Sequence, residues 1–166
     1  MMTGALAALV FVPMLVEAAI ARRHDRALRA QGAIEPRGDV YAAMQVAYPA
    51  AFLAMLAEGA WRHSGAGRAL VFGLVVFAAA KALKYWAIVT LGPRWTFRVL
   101  VPAGSHRTLA GPYRWMAHPN YVGVAGEIAG CAIATRALVS GPIAFVVFGS
   151  LMLRRIRVEE RALAAE

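Results

Sequence analysis

The chain has 166 residues, 60% of them hydrophobic, with a mean hydropathy of +0.56 and a formal net charge of +9. Soluble domains are nearer half apolar, and the charges here gather between long apolar runs, so the layout is that of a single-domain polytopic membrane protein. The lone Cys131, itself inside an apolar run, excludes an intramolecular disulfide; no zinc-ligand spacing is present, and the excess arginine reads as loop charge facing an anionic leaflet rather than a nucleic-acid surface.

Taken in order, residues 3–21 form a first apolar stretch interrupted by Pro13 and Glu17, long enough to cross a hydrocarbon core of about 30 Å. Arg22, Arg23 and Arg26 follow that stretch and no basic residue precedes it, the reverse of a secretory signal, so it reads as a retained helix. A polar connector with Gly32, Pro36 and Gly38 leads to a second span, 40–61, carrying Pro49 and Glu58. The third span, 69–91, carries Lys81 and Lys84. A polar loop, 92–120, precedes a fourth span, 121–139; Ser140-Gly141-Pro142 break it off, and a fifth, 141–153, returns as the second arm of a helical hairpin. Residues 154–166 read as a polar helix extending the fifth span. The expected fold is therefore all-α, with five transmembrane helices and a cytoplasmic C-terminal helix.

Alternating connectors place Arg22, Arg23, Arg26, Arg29, Arg37, Arg94, Arg98, Arg107, Arg114, Arg154, Arg155, Arg157 and Arg161 on one side, and only Arg62, Arg68 and Arg136 on the other. By the positive-inside rule the N-terminus is outside, while the long loop and the tail are cytoplasmic. No internal repeat of the inverted-transporter kind is evident.

The loop segment Gly111–Gly123 is polar, aromatic and punctuated by Pro and Gly. Pro119 pushes His118 out of helical geometry and suits the first turn of the fourth span, so His118 falls near the N-cap. A helix N-terminus offers free N–H groups and a positive dipole end to a ligand carboxylate. Asn120 and Tyr121 add donors, and Tyr113 and Trp115 add flat faces for stacking. The same residues also suit an interfacial aromatic belt. In the tail, Glu159 and Glu160 lie among arginines at helical spacing; adjacent carboxylates diverge around a helix, so one is expected to point toward the loop. Glu127, deep in the fourth span, is costly in hydrocarbon and calls for a partner such as Lys81 or Lys84, or else faces an acceptor as a base or orienting group.

The ordered set G-P-Y-R, H-P-N-Y, Gly123 and a distal Glu-Glu resembles the isoprenylcysteine carboxyl methyltransferase family and its phospholipid-methyltransferase relatives. Leu91–Val99 also resembles the segment preceding that loop in small bacterial members, whereas Ala117 stands where many relatives carry Arg. The resemblance covers roughly residues 81–163. It implies S-adenosyl-L-methionine at the cytoplasmic face of a bacterial inner membrane, with His118, Pro119, Tyr121, Glu159 and Glu160 lining its pocket. Tyr113, Asn120 and Gly123 join them as further cofactor candidates, and Lys81, Lys84 and Trp95 are substrate candidates. Small relatives of this kind resemble O-methyltransferases of alkylpyrones and alkylresorcinols, which makes a membrane-embedded, long-chain phenol or enol the expected acceptor. An isoprenylcysteine-type carboxylate, a phospholipid amine, a sterol-reductase-like use of NADPH and a non-enzymatic membrane protein stand as alternatives.

Overall fold

The computed structural model describes residues 2–36, 38–100 and 108–164. The described residues form five α-helices: α1 (Met2–Ala30), α2 (Tyr41–Trp61), α3 (Arg68–Leu91), α4 (Pro119–Thr135) and α5 (Ser140–Ala164). Short 3-10 turns occupy Gly92–Arg94 and Gly111–Arg114, both opened by a glycine–proline pair. The expected all-α class holds. Arg37 and Arg107 of the topology count lie outside the described residues.

Three boundaries differ from the sequence reading. Helix α1 does not stop at Ala21 but runs 29 residues to Ala30, through Pro13 and the first arginines. Arg22 and Arg26 each donate to the carbonyl four residues back, extending the rod into what read as a connector. Helix α4 stops at Thr135 rather than Val139, because Arg136 turns left-handed at φ 53°. Gly141 and Pro142 then sit inside the first turn of α5, where a proline loses no hydrogen bond. From there α5 continues unbroken to Ala164, so the last span and the tail are one rod. Among the described residues, Met2–Ala30 and Arg68–Arg94 are long and apolar enough to cross a membrane, with mean hydropathies of 2.1 and 1.6. The 17 residues of α4 reach only about 25 Å at about 1.5 Å per residue.

Helices α3 and α4 approach more closely than any side chain larger than hydrogen permits. A Cβ on Gly130 would lie 2.6 Å from the backbone nitrogen of Phe77, and one on Gly126 would lie 2.8 Å from the Cβ of Ala80. On the facing helix, a Cβ on Gly73 would meet the Cα of Ala134 at 2.6 Å. Seams of small residues of this kind drive helix association in lipid, where burying apolar side chains gains little. Around the seam Phe52, Met55, Phe77, Ile128 and Phe148 form the core, with Tyr48 edge-on to Phe52 at 5.0 Å.

The extension of α1 holds the start of the long loop. His24 Nδ1 lies 2.8 Å from the carbonyl oxygen of Trp95, and the Trp95 ring packs against Ala21 and Ile88. Arg98 pairs with Glu35 at 2.7 Å and Asp25 at 3.4 Å, and its guanidinium stacks over Tyr41. Desolvation opposes the charge on Glu35, but hydrogen bonds from Arg29 and Arg98 overcome it and hold the carboxyl below its ordinary range. The Val99 N–H donates to Asp39 at 3.1 Å.

The seam makes a direct prediction for unfolding in detergent. Gly130→Ala should destabilise the protein by about 1–3 kcal/mol through overpacking, whereas Gly149→Ala on α5, where a Cβ meets nothing within 4 Å, should leave its melting temperature unchanged or raised.

Candidate functional site

The N-terminus of α4 and the last turns of α5 meet. His118 is the N-cap residue of α4, at φ −132° and ψ 62°, with Pro119 in the first turn as the sequence implied. Its Nε2 lies 3.4 Å from Glu160 Oε1, and its Nδ1 lies 4.0 Å from Glu159 Oε2. Tyr121, in the first turn of α4, donates from its hydroxyl to Glu159 Oε2 at 3.1 Å, and its ring lies 5.5 Å from that of His118. Both carboxylates therefore reach the loop, where only one was expected to. Their side chains differ in enclosure, at 35% exposure for Glu159 against 54% for Glu160. Burial, with the nearby Glu159 charge second, pushes the Tyr113 phenol well above its ordinary value.

Arg155, which the sequence reading had counted only as tail charge, belongs to this group. It is 6% exposed, its Nη1 lies 3.9 Å from the Met44 sulfur, and its Nε is buried with no hydrogen-bond partner. A buried, unsatisfied guanidinium N–H is costly to keep and marks a place for an acceptor oxygen. The signal that could have found it is helical phase: Arg155 lies four residues before Glu159, on the same face of α5.

Two of the sequence-derived residues sit elsewhere. Gly123 packs in the seam against α3, where a Cβ would lie 2.9 Å from Lys84 Cβ. Trp95 is 3% exposed in the packing under α1, and its indole N–H lies 3.4 Å from the Asn120 side-chain oxygen, which braces the loop against α4.

Glu127, Lys81 and Lys84 form a separate buried cluster together with Glu17, which the sequence reading had left without a role. Lys81 Nζ lies 2.7 Å from Glu17 Oε1 and 3.1 Å from Glu127 Oε1. Lys84 Nζ lies 2.6 Å from Glu17 Oε2 and 3.4 Å from Glu127 Oε1. Tyr48 donates its hydroxyl to the other Glu127 oxygen. Glu127 Oε1 accepts no well-aligned hydrogen bond, so its attraction to the two ammonium groups is ionic. With Glu17 fully buried and Glu127 1% exposed, this is two cations balanced by two anions across α1, α3 and α4. Both lysines are paired with carboxylates, and Glu127 with them.

Residues 71–165 match the isoprenylcysteine carboxyl methyltransferase family. The chain belongs to that family. An uncharacterized Bacillus subtilis protein, YpbQ, is 31% identical over 159 residues, covering 95% of this chain and 94% of that protein. An uncharacterized Haemophilus influenzae protein is 23% identical over 146 residues, covering 87% and 85% of the two chains. No solved structure matches. Family membership implies methyltransferase activity associated with a membrane, and the loop–tail junction lies within the matched region.

The charge balance of the buried cluster can be tested by unfolding. Glu127→Gln leaves two lysines against Glu17 and should cost about 3–5 kcal/mol. Adding Lys84→Met restores neutrality around the Lys81–Glu17 pair and should recover part of that loss, a non-additivity read directly in a double-mutant cycle.

Proposed function

We propose that this protein is a five-span methyltransferase of the bacterial inner membrane. It binds S-adenosyl-L-methionine between the start of α4 and the end of α5 on the cytoplasmic side, and it O-methylates a long-chain phenol or enol held in the bilayer. The observation that carries the reading is the junction of His118 and Tyr121 with Glu159 and Glu160, inside the region that matches a methyltransferase family.

The groups gathered there suit this cofactor. No side chain caps the first turn of α4, so its free N–H end is open to a carboxylate. Glu159 and Glu160 supply acceptors for ribose hydroxyls and favour a cation nearby, and Tyr113 supplies a phenol donor. Pro119 has no N–H to compete and fixes where the helix begins. Asn120, held by Trp95, keeps the loop in register with α4. When bound, the cofactor would supply a methyl group on a sulfonium, for in-line transfer to the deprotonated acceptor oxygen with the demethylated thioether as leaving group. For such a displacement the protein's main task is positioning and exclusion of water. The cluster of Glu17, Lys81, Lys84 and Glu127 serves this indirectly, by fixing α3 and α4 against α1.

The segregation of arginine supports the orientation: the extension of α1, the long loop and the end of α5 carry most of it, on the side proposed to face the cytoplasm. The apolar surroundings favour an acceptor with a long hydrocarbon tail over a water-soluble one.

The test is transfer of labelled methyl from S-adenosyl-L-methionine by the full chain in nanodiscs containing pentadecylresorcinol. The expected product is its methyl ether, with His118→Ala slower by about 100-fold or more, the scale of loss for a misplaced reactant. Label appearing in phosphatidylethanolamine instead would make the protein a lipid amine methyltransferase, and no label in either acceptor would overturn the O-methyl assignment.

A further inference from the structure

A groove of about 560 Å³ runs between α2 and α5, away from the loop–tail junction. Its floor on α2 is Ala47, Ala50, Ala51 and Ala54, spaced to share one helix face, and its wall on α5 includes Ile143 and Val147. The far end is closed by a polar knot. Glu58 accepts from the Ser140 N–H and hydroxyl, each at 2.7 Å, and pairs with Arg62 at 2.8 Å. That end thus presents a carboxylate whose cationic partner is already taken, which disfavours an anionic headgroup there. About one turn beyond the near end along α2, and about two along α5, Met44 lies against the buried Arg155, whose Nε has no partner. A molecule lying in this seam therefore has a defined direction, with its polar oxygen at Arg155 and its tail toward Glu58.

We propose that the α2–α5 groove is the tail site for the methyl acceptor and sets how long a tail it accepts. Arg155 Nε takes the acceptor's head oxygen. This rests on the long-chain acceptor assigned above. From Ala47 to Glu58 the groove follows about 16 Å of helix at about 1.5 Å per residue, room for a single extended alkyl chain stopped by the Glu58–Ser140 knot. Met44 and Met152, both buried between the groove and Arg155, are unbranched and adaptable enough to shift around a passing chain. The alanines are what make the groove. At Ala54, an exposed position on its floor, a larger side chain would shorten it without entering the core.

The experiment uses the full chain in nanodiscs of phosphatidylethanolamine and phosphatidylglycerol, photolabelled with pentadecylresorcinol bearing a diazirine at its tail end. Label is expected on Ala50–Ala54 and Ile143–Val147, competed by unlabelled pentadecylresorcinol. Ala54→Phe should reduce it about tenfold, and Leu53→Phe, an exposed α2 position outside the groove, should not. In methyl transfer, Ala54→Phe should raise the KM for pentadecylresorcinol about tenfold and leave that for pentylresorcinol unchanged. Label spread over lipid-facing positions such as Leu9, Val71 and Val75, or unaffected by Ala54→Phe, overturns the groove. Specific label in the groove without methylation of any resorcinol upholds the groove and removes the acceptor assignment instead.

Discussion

Four ionised side chains buried together hold this bundle in one arrangement. Removing a carboxylate or an ammonium from water costs several kcal/mol per ion, and only close, balanced partners offset it. Glu17, Lys81, Lys84 and Glu127 provide that balance from three helices, with Tyr48 adding a hydrogen bond from a fourth. In hydrocarbon no alternative partner is at hand, so the register of α1 against α3 and α4 follows from where these charges must meet. The glycine seam makes the meeting possible: with Gly123, Gly126 and Gly130 on one side, the backbone of α4 comes close enough for Glu127 to reach both lysines.

From that fixed point the candidate site is assembled by two rods. Helix α4 starts at Pro119, so locking α4 also locks His118 and Tyr121 at its N-terminal end. Helix α5, continuous from Ser140 to Ala164, carries Arg155, Glu159 and Glu160 to the same place. Its other end is tied to α2 by Glu58, which accepts from the N–H groups of Val139 and Ser140 at the start of the helix. The extension of α1 pins the start of the loop through His24, Asp25 and Arg98. The two halves of the site are thus separated in sequence but each rests on a rigid element, the arrangement that positioning chemistry needs.

Much of this was legible in the residues. The helix count, the hairpin, the N-cap place of His118 and the meeting of loop and tail all follow from apolar run lengths, Pro119 and charge alternation. The helix ends were less legible, because they depend on tertiary partners: α1 continues past its apolar stretch where the loop is waiting to be bound, and α4 ends early at a left-handed Arg136. Glu17 was readable in principle. Lys81, Lys84 and Glu127 inside spans leave a cation over, and Glu17 and Glu58 are the carboxylates that the other long apolar runs offer. The packing of Gly123 against α3 and of Trp95 under α1 is not legible from their place beside a motif, because adjacency in sequence does not say which side of a helix meets its neighbour. Arg155 stands among surface arginines; its helical phase with Glu159 and its packing against Met44 distinguish it from Arg154 and Arg157, which are exposed.

The central claim is that the start of α4 and the end of α5 together bind an adenosyl cofactor. Thermal shift of the full chain in detergent tests it most directly, since a ligand that binds only the folded state adds about 2.7 kcal/mol at one hundred times its Kd. S-adenosyl-L-methionine and its demethylated product should each raise the melting temperature, NADPH should not, and both His118→Ala and Glu159→Ala/Glu160→Ala should weaken the effect. No shift with either adenosyl compound, or a shift that survives in all of these variants, would contradict the account.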